Sequence, residues 1–264
     1  MPVESVTSAR NPKILQLLAL QTKSSLRRES GLFVVEGRRE LEHCIAAGLS
    51  IRTIFRCPEI LPGEELEVPD VQIIEVPQAL YAKIAYRGGT EGVIAEVECP
   101  RLKLEDLPLG SDPLVVVLEA VEKPGNLGAV LRSADAAGAD AVIVCDPLTD
   151  VFNPNVIRAS IGAVFTVPVV TASSQEAIDF LKNRGIRILT AQLQDSLPYY
   201  DTPMTGGTAI VMGTEDKGLS PIWRKAADEH IRIPMLGRLD SLNVSVSAAI
   251  LLFEAVRQRI KHKK

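Results

Sequence analysis

The fold is constrained most strongly by short apolar segments in the second half of the chain. LVVVL at 114–118 has no polar position, and AVIVC at 141–145, IRILT at 186–190 and TAIVM at 208–212 follow as further strands. A strand can be apolar throughout only when both faces of its sheet are covered, as in parallel sheets flanked by helices. Helix-type segments separate these strands. The sequence therefore predicts an α/β fold with a parallel sheet.

The first 98 residues have a different pattern of helix-type and strand-type segments, which predicts a smaller α/β unit. A helix is predicted over 11–28 from its apolar spacing. Strands are predicted for GLFVVE from Gly31, IRTIF from Ile51, VQIIEV from Val71 and GVIAEVE from Gly92. The next segment, up to Pro113, is rich in proline and charge and predicts a linker. We therefore expect one domain over 1–98, a linker over 99–112 and a second domain over 113–264.

Composition and charge leave the type of partner open. The 264 residues carry a net charge of −4, which argues weakly against a nucleic-acid partner. However, residues 1–30 contain five basic and two acidic residues, and residues 251–264 contain five basic residues and one acidic residue. Phosphate binding needs a local basic surface rather than a basic protein. From charge alone, these two basic terminal segments are equally consistent with RNA binding and with simple exposure to solvent.

Several classes of protein are disfavoured. No apolar run approaches the roughly 18–20 residues of a membrane span, and the N-terminus lacks the apolar core of a secretory signal, so we expect a cytoplasmic protein without a membrane partner. The four cysteines are scattered and form no C-x-x-C, which predicts reduced thiols and no metal site. The G-x-G-x-x-G fingerprint of dinucleotide-binding enzymes is also missing, which argues against a dehydrogenase.

Ligands of parallel α/β sheets bind at the carboxyl ends of the strands, and three turns at such positions are unusual. In EKPGNLGAVLR, from Glu122 to Arg132, Gly125 can supply a positive φ and Asn126 can cap the following helix. Arg132 lies one to two turns further on. It can serve a ligand, or it can form a simple surface pair with Asp135.

The other two turns contain more polar groups than ordinary loops need. VMGTEDKGLSP places a Glu–Asp pair after Gly213 and ends with Ser220 as a predicted helix cap. IPMLGRLDSLNVS leads into the last helix, whose cap requires only one polar side chain, yet it contains four: Asp240, Ser241, Asn243 and Ser245. Plain capping and a ligand site at the helix start are both consistent with this surplus. None of the three histidines lies in these turns, so histidine base catalysis is disfavoured.

At these three turns the chain resembles the SpoU/TrmH family of RNA ribose 2′-O-methyltransferases, part of the SPOUT superfamily. NLGAVLRSA from Asn126, GTEDKGLS from Gly213, and IPM from Ile233 followed by SLNVS from Ser241 are similar to the family's three motifs in order and spacing. The resemblance covers about residues 112–260. A looser likeness of LFVVEG and GVIAEV extends it to the family's N-terminal RNA-binding unit. Thr214 departs from the asparagine of many members, and we expect this to tune activity rather than abolish it.

The resemblance implies a trefoil-knotted parallel-sheet SPOUT methyltransferase domain preceded by a small α/β RNA-binding domain. It implies an enzyme that transfers a methyl group from S-adenosylmethionine to a ribose 2′-hydroxyl of structured RNA, with ribosomal RNA favoured over transfer RNA. It also implies a homodimer in which Arg132 serves the neighbouring subunit's cofactor. The alternatives are a tRNA methyltransferase and a non-catalytic RNA-binding protein that keeps the knotted scaffold.

The resemblance also assigns residues to roles. The expected catalytic residues are Asn126, Arg132, Glu215, Ser241 and Asn243. The expected cofactor-binding residues are Thr190, Ala191, Gly213, Glu215, Ile233, Pro234, Met235, Leu242, Asn243, Val244 and Ser245. The expected RNA contacts, taken from the basic residues of the N-terminal domain, are Arg10, Lys13, Lys23, Arg27, Arg28 and Arg38. The family's arginine is proposed to activate the hydroxyl, but a guanidinium stays protonated, so we expect Arg132 to act as a fork on phosphate and on developing alkoxide charge.

Overall fold

A computed structural model describes residues 3–62, 68, 71–86, 91–214, 216–238 and 241–262. The chain divides into two compact units. The first comprises Met1–Arg101 with Asp150–Phe165, and the second comprises Leu102–Thr149 with Thr166–Lys264. Within the described ranges, no helix combines the length and apolar character needed to cross a bilayer.

Helices and strands alternate along most of the chain. The strands are β1 Glu4–Ser5, β2 Leu32–Glu36, β3 Ile51–Arg56, β4 Gln72–Glu75, β5 Val93–Glu98, β6 Leu114–Glu119, β7 Ala141–Cys145, β8 Val169–Ala172, β9 Arg187–Ala191, β10 Leu197–Pro198, β11 Thr208–Met212 and β12 Glu229–Arg232. The helices are α1 Pro12–Thr22, α2 Ser24–Ser30, α3 Arg38–Ala46, α4 Gln78–Ile84, α5 Pro124–Ala136, α6 Pro154–Ser160, α7 Ala163–Thr166, α8 Ser174–Asn183, α9 Pro221–Ala226 and α10 Val244–His262. Short 3-10 helices lie at Leu104–Asp106 and Tyr199–Asp201.

The first unit is built on a mixed sheet with strand order β1-β4-β3-β5-β2. β5 runs antiparallel to both of its neighbours, whereas β1, β4 and β3 are parallel. Apolar residues of α1 and α4 pack with the facing side chains of these strands, and their core members include Leu17, Tyr81, Phe55 and Ile94. This unit therefore has a hydrophobic core of its own.

The single helix predicted over 11–28 is wrong, because the structure has two helices there. Asn11 starts α1 by accepting a hydrogen bond from Lys13 N at 2.9 Å, and Pro12 occupies the first helical position, where its missing N–H costs nothing. Lys23 then adopts an extended conformation, with φ −108° and ψ 105°, which ends α1.

The break in the helix directs Arg27 inward. Its side chain is only 3% exposed, and its Nε donates to Asp150 Oδ2 at 2.5 Å while Nη1 donates to Leu20 O at 2.6 Å. Asp150 opens the segment 150–165, which returns to the first unit, where Phe152 and Phe165 stack on Phe33. A buried charge is tolerated when it is paired and hydrogen-bonded in this way. Arg27 therefore holds segment 150–165 in the first unit.

The second unit contains a seven-stranded sheet in the order β10-β12-β9-β11-β6-β7-β8, and every neighbouring pair in it is parallel. All residues of β6, β7 and β11 are buried, as the apolar runs predict. The parallel-sheet α/β fold is thus confirmed, and the trefoil knot stays a prediction. The sequence reading assigned no element between 146 and 173, where the structure has α6, α7 and β8. In the segment predicted as a linker, Leu104 and Leu107 pack into this unit's core.

Replacing Arg27 by alanine leaves Asp150, whose side chain is 17% exposed, without its cation inside the first unit. Breaking one half of a buried ion pair typically costs about 3–5 kcal/mol. We expect Arg27→Ala to lower the free energy of unfolding by roughly this amount, as measured by urea denaturation. The neighbouring Arg28 is exposed, so Arg28→Ala is the matched control and should change stability by no more than about 0.5 kcal/mol. Equal stability of the two variants would contradict the structural role of Arg27.

Candidate functional site

A cavity of about 420 Å³ lies in the second unit at the carboxyl ends of β9, β11 and β12. These strands are parallel, and β9 lies between the other two, so their ends meet at one edge of the sheet. The walls of the cavity are formed by the segments that follow these strands and by the start of α10. The lining residues are Ala191, Gln192, Leu193, Gln194, Met212, Gly213, Thr214, Asp216, Lys217, Gly218, Leu219, Arg224, Ile231, Arg232, Ile233, Met235, Ser241, Leu242, Val244 and Ser247.

The loop between β11 and α9 folds back on itself at Gly213. A Cβ at this position would lie 2.6 Å from Leu219 N, which is closer than side chains tolerate. Thr214 O accepts from Gly218 N at 3.0 Å, and Thr214 Oγ1 accepts from Lys217 N at 3.1 Å. Thr214, the departure from the family pattern, thus supplies a side-chain acceptor that closes the turn. Glu215, expected to be catalytic and cofactor-binding, lies outside the described residues.

The third motif ends in a helix cap that also borders the cavity. α10 begins at Val244, and Asn243 Oδ1 accepts from Ser245 N at 2.9 Å and from Ser245 Oγ at 2.6 Å. Such an acceptor satisfies one of the free N–H groups of the first helical turn. The two residues before it, Ser241 and Leu242, face the cavity. The same short segment therefore caps the helix and forms one wall of the site.

The first and third motifs meet through their asparagines. Asn243 Nδ2 donates to Asn126 Oδ1 at 3.1 Å. The expectation that Asn126 caps α5 is wrong, because α5 already begins at Pro124 and Asn126 lies within its first turn. Gly125 likewise has no positive φ, since it belongs to the helix. Its place inside the first turn leaves the Asn126 side chain available to pair with Asn243.

Arg132 projects from α5 as an exposed side chain. The alternative surface pair with Asp135 is not formed, since Asp135 Oδ1 instead accepts from Thr166 Oγ1 at 2.5 Å. Arg132 makes no hydrogen bond or ion pair with any other residue in the described part of the chain. Its guanidinium is therefore available for a ligand or for another protein surface.

The structure brings most of the expected cofactor residues together, but not all of them line the cavity. Six of them do: Ala191, Gly213, Ile233, Met235, Leu242 and Val244. Pro234, Asn243 and Ser245 are their chain neighbours. Thr190 is fully buried behind the wall, where its Oγ1 lies 2.6 Å from His230 Nδ1. Gln192, Gln194, Lys217 and Arg224 also line the cavity. The positions of Gln192, Gln194 and Lys217, shortly after β9 or in the β11–α9 loop, were the signal that could have identified them, whereas Arg224 lies within α9 and had no such signal.

The residues expected to bind RNA differ in how accessible they are. Arg10, Lys23 and Arg28 are exposed. Lys13 pairs with Glu4, and Arg38 pairs with Glu42, at partly exposed positions. For Arg27 the expectation requires correction. Its guanidinium is buried against Asp150 and Leu20 O, so it cannot reach a phosphate.

The cysteines are free thiols, and none of them lines the cavity. Cys44 and Cys145 are buried, and burial raises the pKa of both thiols well above their usual range. The pKa of Cys99 is raised to about 11, again mainly by burial. High pKa values keep these side chains in the unreactive thiol form. Among the residues that the structure describes, no group of His, Cys, Asp and Glu is placed to hold a metal ion.

Two family models match the chain. Residues 113–253 match the SpoU rRNA Methylase family, and residues 11–95 match the MRM3-like substrate binding domain. The first match spans the three motifs and the cavity. The second falls within the first unit.

Relatives and solved structures cover nearly the whole chain. The 23S rRNA (guanosine(2553)-2′-O)-methyltransferase RlmP of Bacillus subtilis is 30% identical over 251 residues, which is 95% of this chain and 98% of the relative. An AdoMet-bound rRNA methyltransferase from Sinorhizobium meliloti is 30% identical and superimposes with a TM-score of 0.89 over 97% of this chain and 98% of that one. The SpoU methyltransferase AviRb from Streptomyces viridochromogenes, solved with AdoMet, is 31% identical with a TM-score of 0.88 over 95% and 99% of the two chains. The chain therefore belongs to the SpoU rRNA methylase family.

Proposed function

We propose that this protein is an S-adenosylmethionine-dependent methyltransferase that modifies a ribose 2′-hydroxyl of 23S ribosomal RNA. The observation that carries the proposal is the cavity at the ends of β9, β11 and β12, whose walls contain the second and third motifs and whose border residue Asn243 holds Asn126 of the first. Of the relatives named above, two are named as rRNA methyltransferases, and two were solved with AdoMet bound. Action in the bacterial cytoplasm is part of this proposal.

The residues of the cavity fit the cofactor. A volume of about 420 Å³ lies within the usual range of small-molecule sites, roughly 300–1,000 Å³. Ala191, Ile233, Leu242 and Val244 offer an apolar slot suited to adenine. The missing Cβ of Gly213 lets the backbone of the β11–α9 loop approach closely. S-adenosylmethionine, when bound there, supplies a methyl group on a positively charged sulfur.

The chain's own residues would position the ribose and stabilise charge. The Asn126–Asn243 pair presents amide groups at the edge of the cavity, where they can hold the ribose or its phosphate. A guanidinium is a poor base, so Arg132 is better suited to act as a fork on the adjacent phosphate and on the developing alkoxide. Positioning of the hydroxyl in line with the methyl group is then the main contribution of the protein.

Ribosomal RNA remains the favoured substrate and transfer RNA the alternative. Two relatives that cover nearly the whole chain are named as 23S rRNA methyltransferases, and residues 11–95 match a substrate-binding model. The exposed cations Arg10, Lys23 and Arg28 can contact phosphates of structured RNA. A non-catalytic RNA-binding protein is disfavoured because the Asn126–Asn243 pair is present and Arg132 is exposed, with no hydrogen bond or ion pair to a described residue.

The expected homodimer is part of the proposal. On α10, Val246, Phe253 and Ile260 are 47%, 48% and 56% exposed and follow one another at seven-residue spacing. Residues seven apart lie on one face of a helix, so they form a continuous apolar stripe that suits a second copy of the chain. α5, which carries the exposed Arg132, packs on α10. Arg132 would then complete the partner's site.

The cofactor prediction is tested by calorimetry with S-adenosylmethionine and with NAD. We expect binding of the former alone. Gly213→Ala should weaken that binding at least tenfold, because its Cβ would meet the backbone at Leu219. Gly110→Ala is the matched control, since a Cβ there meets nothing within 4 Å. Binding of NAD, or unchanged affinity in Gly213→Ala, would count against the assigned site.

The reaction itself is tested by mapping ribose methylation in RNA from a strain that lacks the gene. We expect loss of one 2′-O-methyl group in 23S rRNA and its restoration by the intact protein. Loss of a methyl group from a transfer RNA instead would select the alternative substrate. An unchanged methylation map would contradict the proposed methyltransferase activity and favour a non-catalytic RNA-binding protein.

The variant Arg132→Lys tests whether the arginine acts through the bidentate geometry of its guanidinium. A lysine keeps the charge but loses the planar fork, so we expect kcat to fall at least a hundredfold while the Kd for S-adenosylmethionine changes by less than about twofold. The exposed Arg184 lies at the end of α8, and Arg184→Lys is the control that should retain activity. Near-full activity of Arg132→Lys would show that bidentate geometry is not needed.

Phe253→Glu tests the dimer. A charge in the α10 stripe should be costly to bury, so we expect sedimentation velocity to show a shift from dimer to monomer at micromolar concentration. Methylation should fall in parallel because Arg132 no longer reaches a partner. Leu148 is similarly exposed but lies in a loop far from α10 in sequence, and Leu148→Glu should remain dimeric. A wild-type protein that sediments as a monomer would end this part of the proposal.

A further inference from the structure

We propose that Glu119 is a positioning residue that holds the β11–α9 loop, of which the structure describes residues 213–214 and 216–220, in its cofactor-binding shape. The inference rests on the proposed function for the identity of the ligand. Glu119 does not line the cavity, and none of the three motifs includes it. Its carboxyl group stands at the carboxyl end of the central strand β6, directly beside β11.

Both carboxyl oxygens of Glu119 point to the far end of this loop. Glu119 is only 7% exposed. Its Oε2 accepts from Ser220 N at 2.8 Å, and its Oε1 accepts a short hydrogen bond from Ser220 Oγ. A buried carboxyl group is costly unless its oxygens are satisfied, and here one residue of the loop satisfies both.

The side chain of Ser220 binds Glu119 rather than the free N–H groups at the start of α9. It occupies the position before α9, yet its hydroxyl makes no capping bond to the helix. Ser220 therefore occupies the N-cap position that the sequence predicts, but its side chain does not cap the helix. Pro221 follows at the first helical position and lacks an N–H. A serine that binds Glu119 through backbone and side chain fixes where the loop ends.

The loop is thus held at two points, and the cavity wall lies between them. At its start, Gly213 packs against the backbone of Gly218 and Leu219. At its end, Ser220 is bound to Glu119. Between these anchors the lining residues Thr214, Asp216 and Lys217 depend on the loop's shape for their positions. Loss of the second anchor would free the wall without removing any group that touches the ligand.

The same carboxyl group connects to the one tryptophan of the chain. Ser174 Oγ lies 3.4 Å from Glu119 Oε1, donates to Asp146 Oδ2 at 2.6 Å, and accepts from Trp223 Nε1 at 2.9 Å. Trp223 is fully buried in α9, the helix that the loop enters. Its indole therefore reports on this network without touching the cavity. Because the chain contains a single tryptophan, its emission has one source.

The experiment compares Glu119→Ala, Glu119→Gln and Ser220→Ala with the wild type, well below their melting temperatures. S-adenosylmethionine binding is measured by calorimetry and by tryptophan emission, and kcat is measured at saturating cofactor. For Glu119→Ala we expect Kd to rise at least tenfold, kcat to change less than about threefold, and the emission change on binding to be reduced. The other two variants each keep part of the contact and should show smaller increases in Kd.

Glu176→Ala is the matched control. Glu176 caps α8 through Ser173 in the same unit, and its side-chain hydrogen bonds go to Ser173 rather than to a described residue of the β11–α9 loop. It should lower the melting temperature and leave Kd unchanged, which separates lost stability from lost positioning. If Glu119→Ala does not fold, Glu119→Gln and Ser220→Ala decide by the same criterion.

The outcomes separate this inference from the function on which it rests. If the wild type binds S-adenosylmethionine and the folded Glu119 and Ser220 variants bind it within twofold of the wild type, the inference is wrong and the function stands. If the wild type does not bind S-adenosylmethionine, the proposed function fails and the inference falls with it. An increase in Kd that Glu176→Ala shows equally would assign Glu119 to stability alone.

Discussion

The parallel alignment of β9, β11 and β12 is the constraint on which the site depends. Hydrogen bonding between parallel strands brings Ala191, Met212 and Arg232 to one edge of the sheet, although they are far apart in the chain. Each strand must then be followed by a loop, and the three loops have no space to occupy except that edge. A ligand pocket at this edge is a consequence of parallel topology. The motifs add chemistry to a place that the sheet has already created.

The strands of this sheet could be predicted from the sequence because both faces of the sheet are buried. β6, β7 and β11 are apolar at nearly every position because helices cover both sides, and their limits were predicted closely. The region 146–173 contains no such run. β8 is an edge strand with an exposed Thr171, and α6 and α7 are too short for a periodic pattern. These elements are defined by tertiary packing, which a pattern search along one chain does not register.

Side-chain direction limited what could be predicted about the basic residues. Arg27 and Arg28 are adjacent, and their sequence context gives both the same charge and the same apparent helix. The extended backbone at Lys23 decides between them, since it sends Arg27 to Asp150, 123 residues away, and leaves Arg28 in solvent. Asn126 shows the same limit. The role of Asn126 in the site stays a prediction. Because α5 begins at Pro124, Asn126 does not cap this helix and instead accepts a hydrogen bond from Asn243.

Polar groups at the ends of strands fall into two layers in this fold. Asn126, Thr214 and Asn243 stand at the cavity and were recognised because a motif contains them. Glu119 is buried and does not line the cavity. Its only signal in the sequence is its position as an acidic residue at the end of an otherwise apolar strand. An isolated charge at such a position has to be satisfied by something folded against it, and here that is the end of the loop that forms the cavity wall. A buried carboxyl group at the end of a central parallel strand therefore indicates which loop must be held in place, even when no motif includes it.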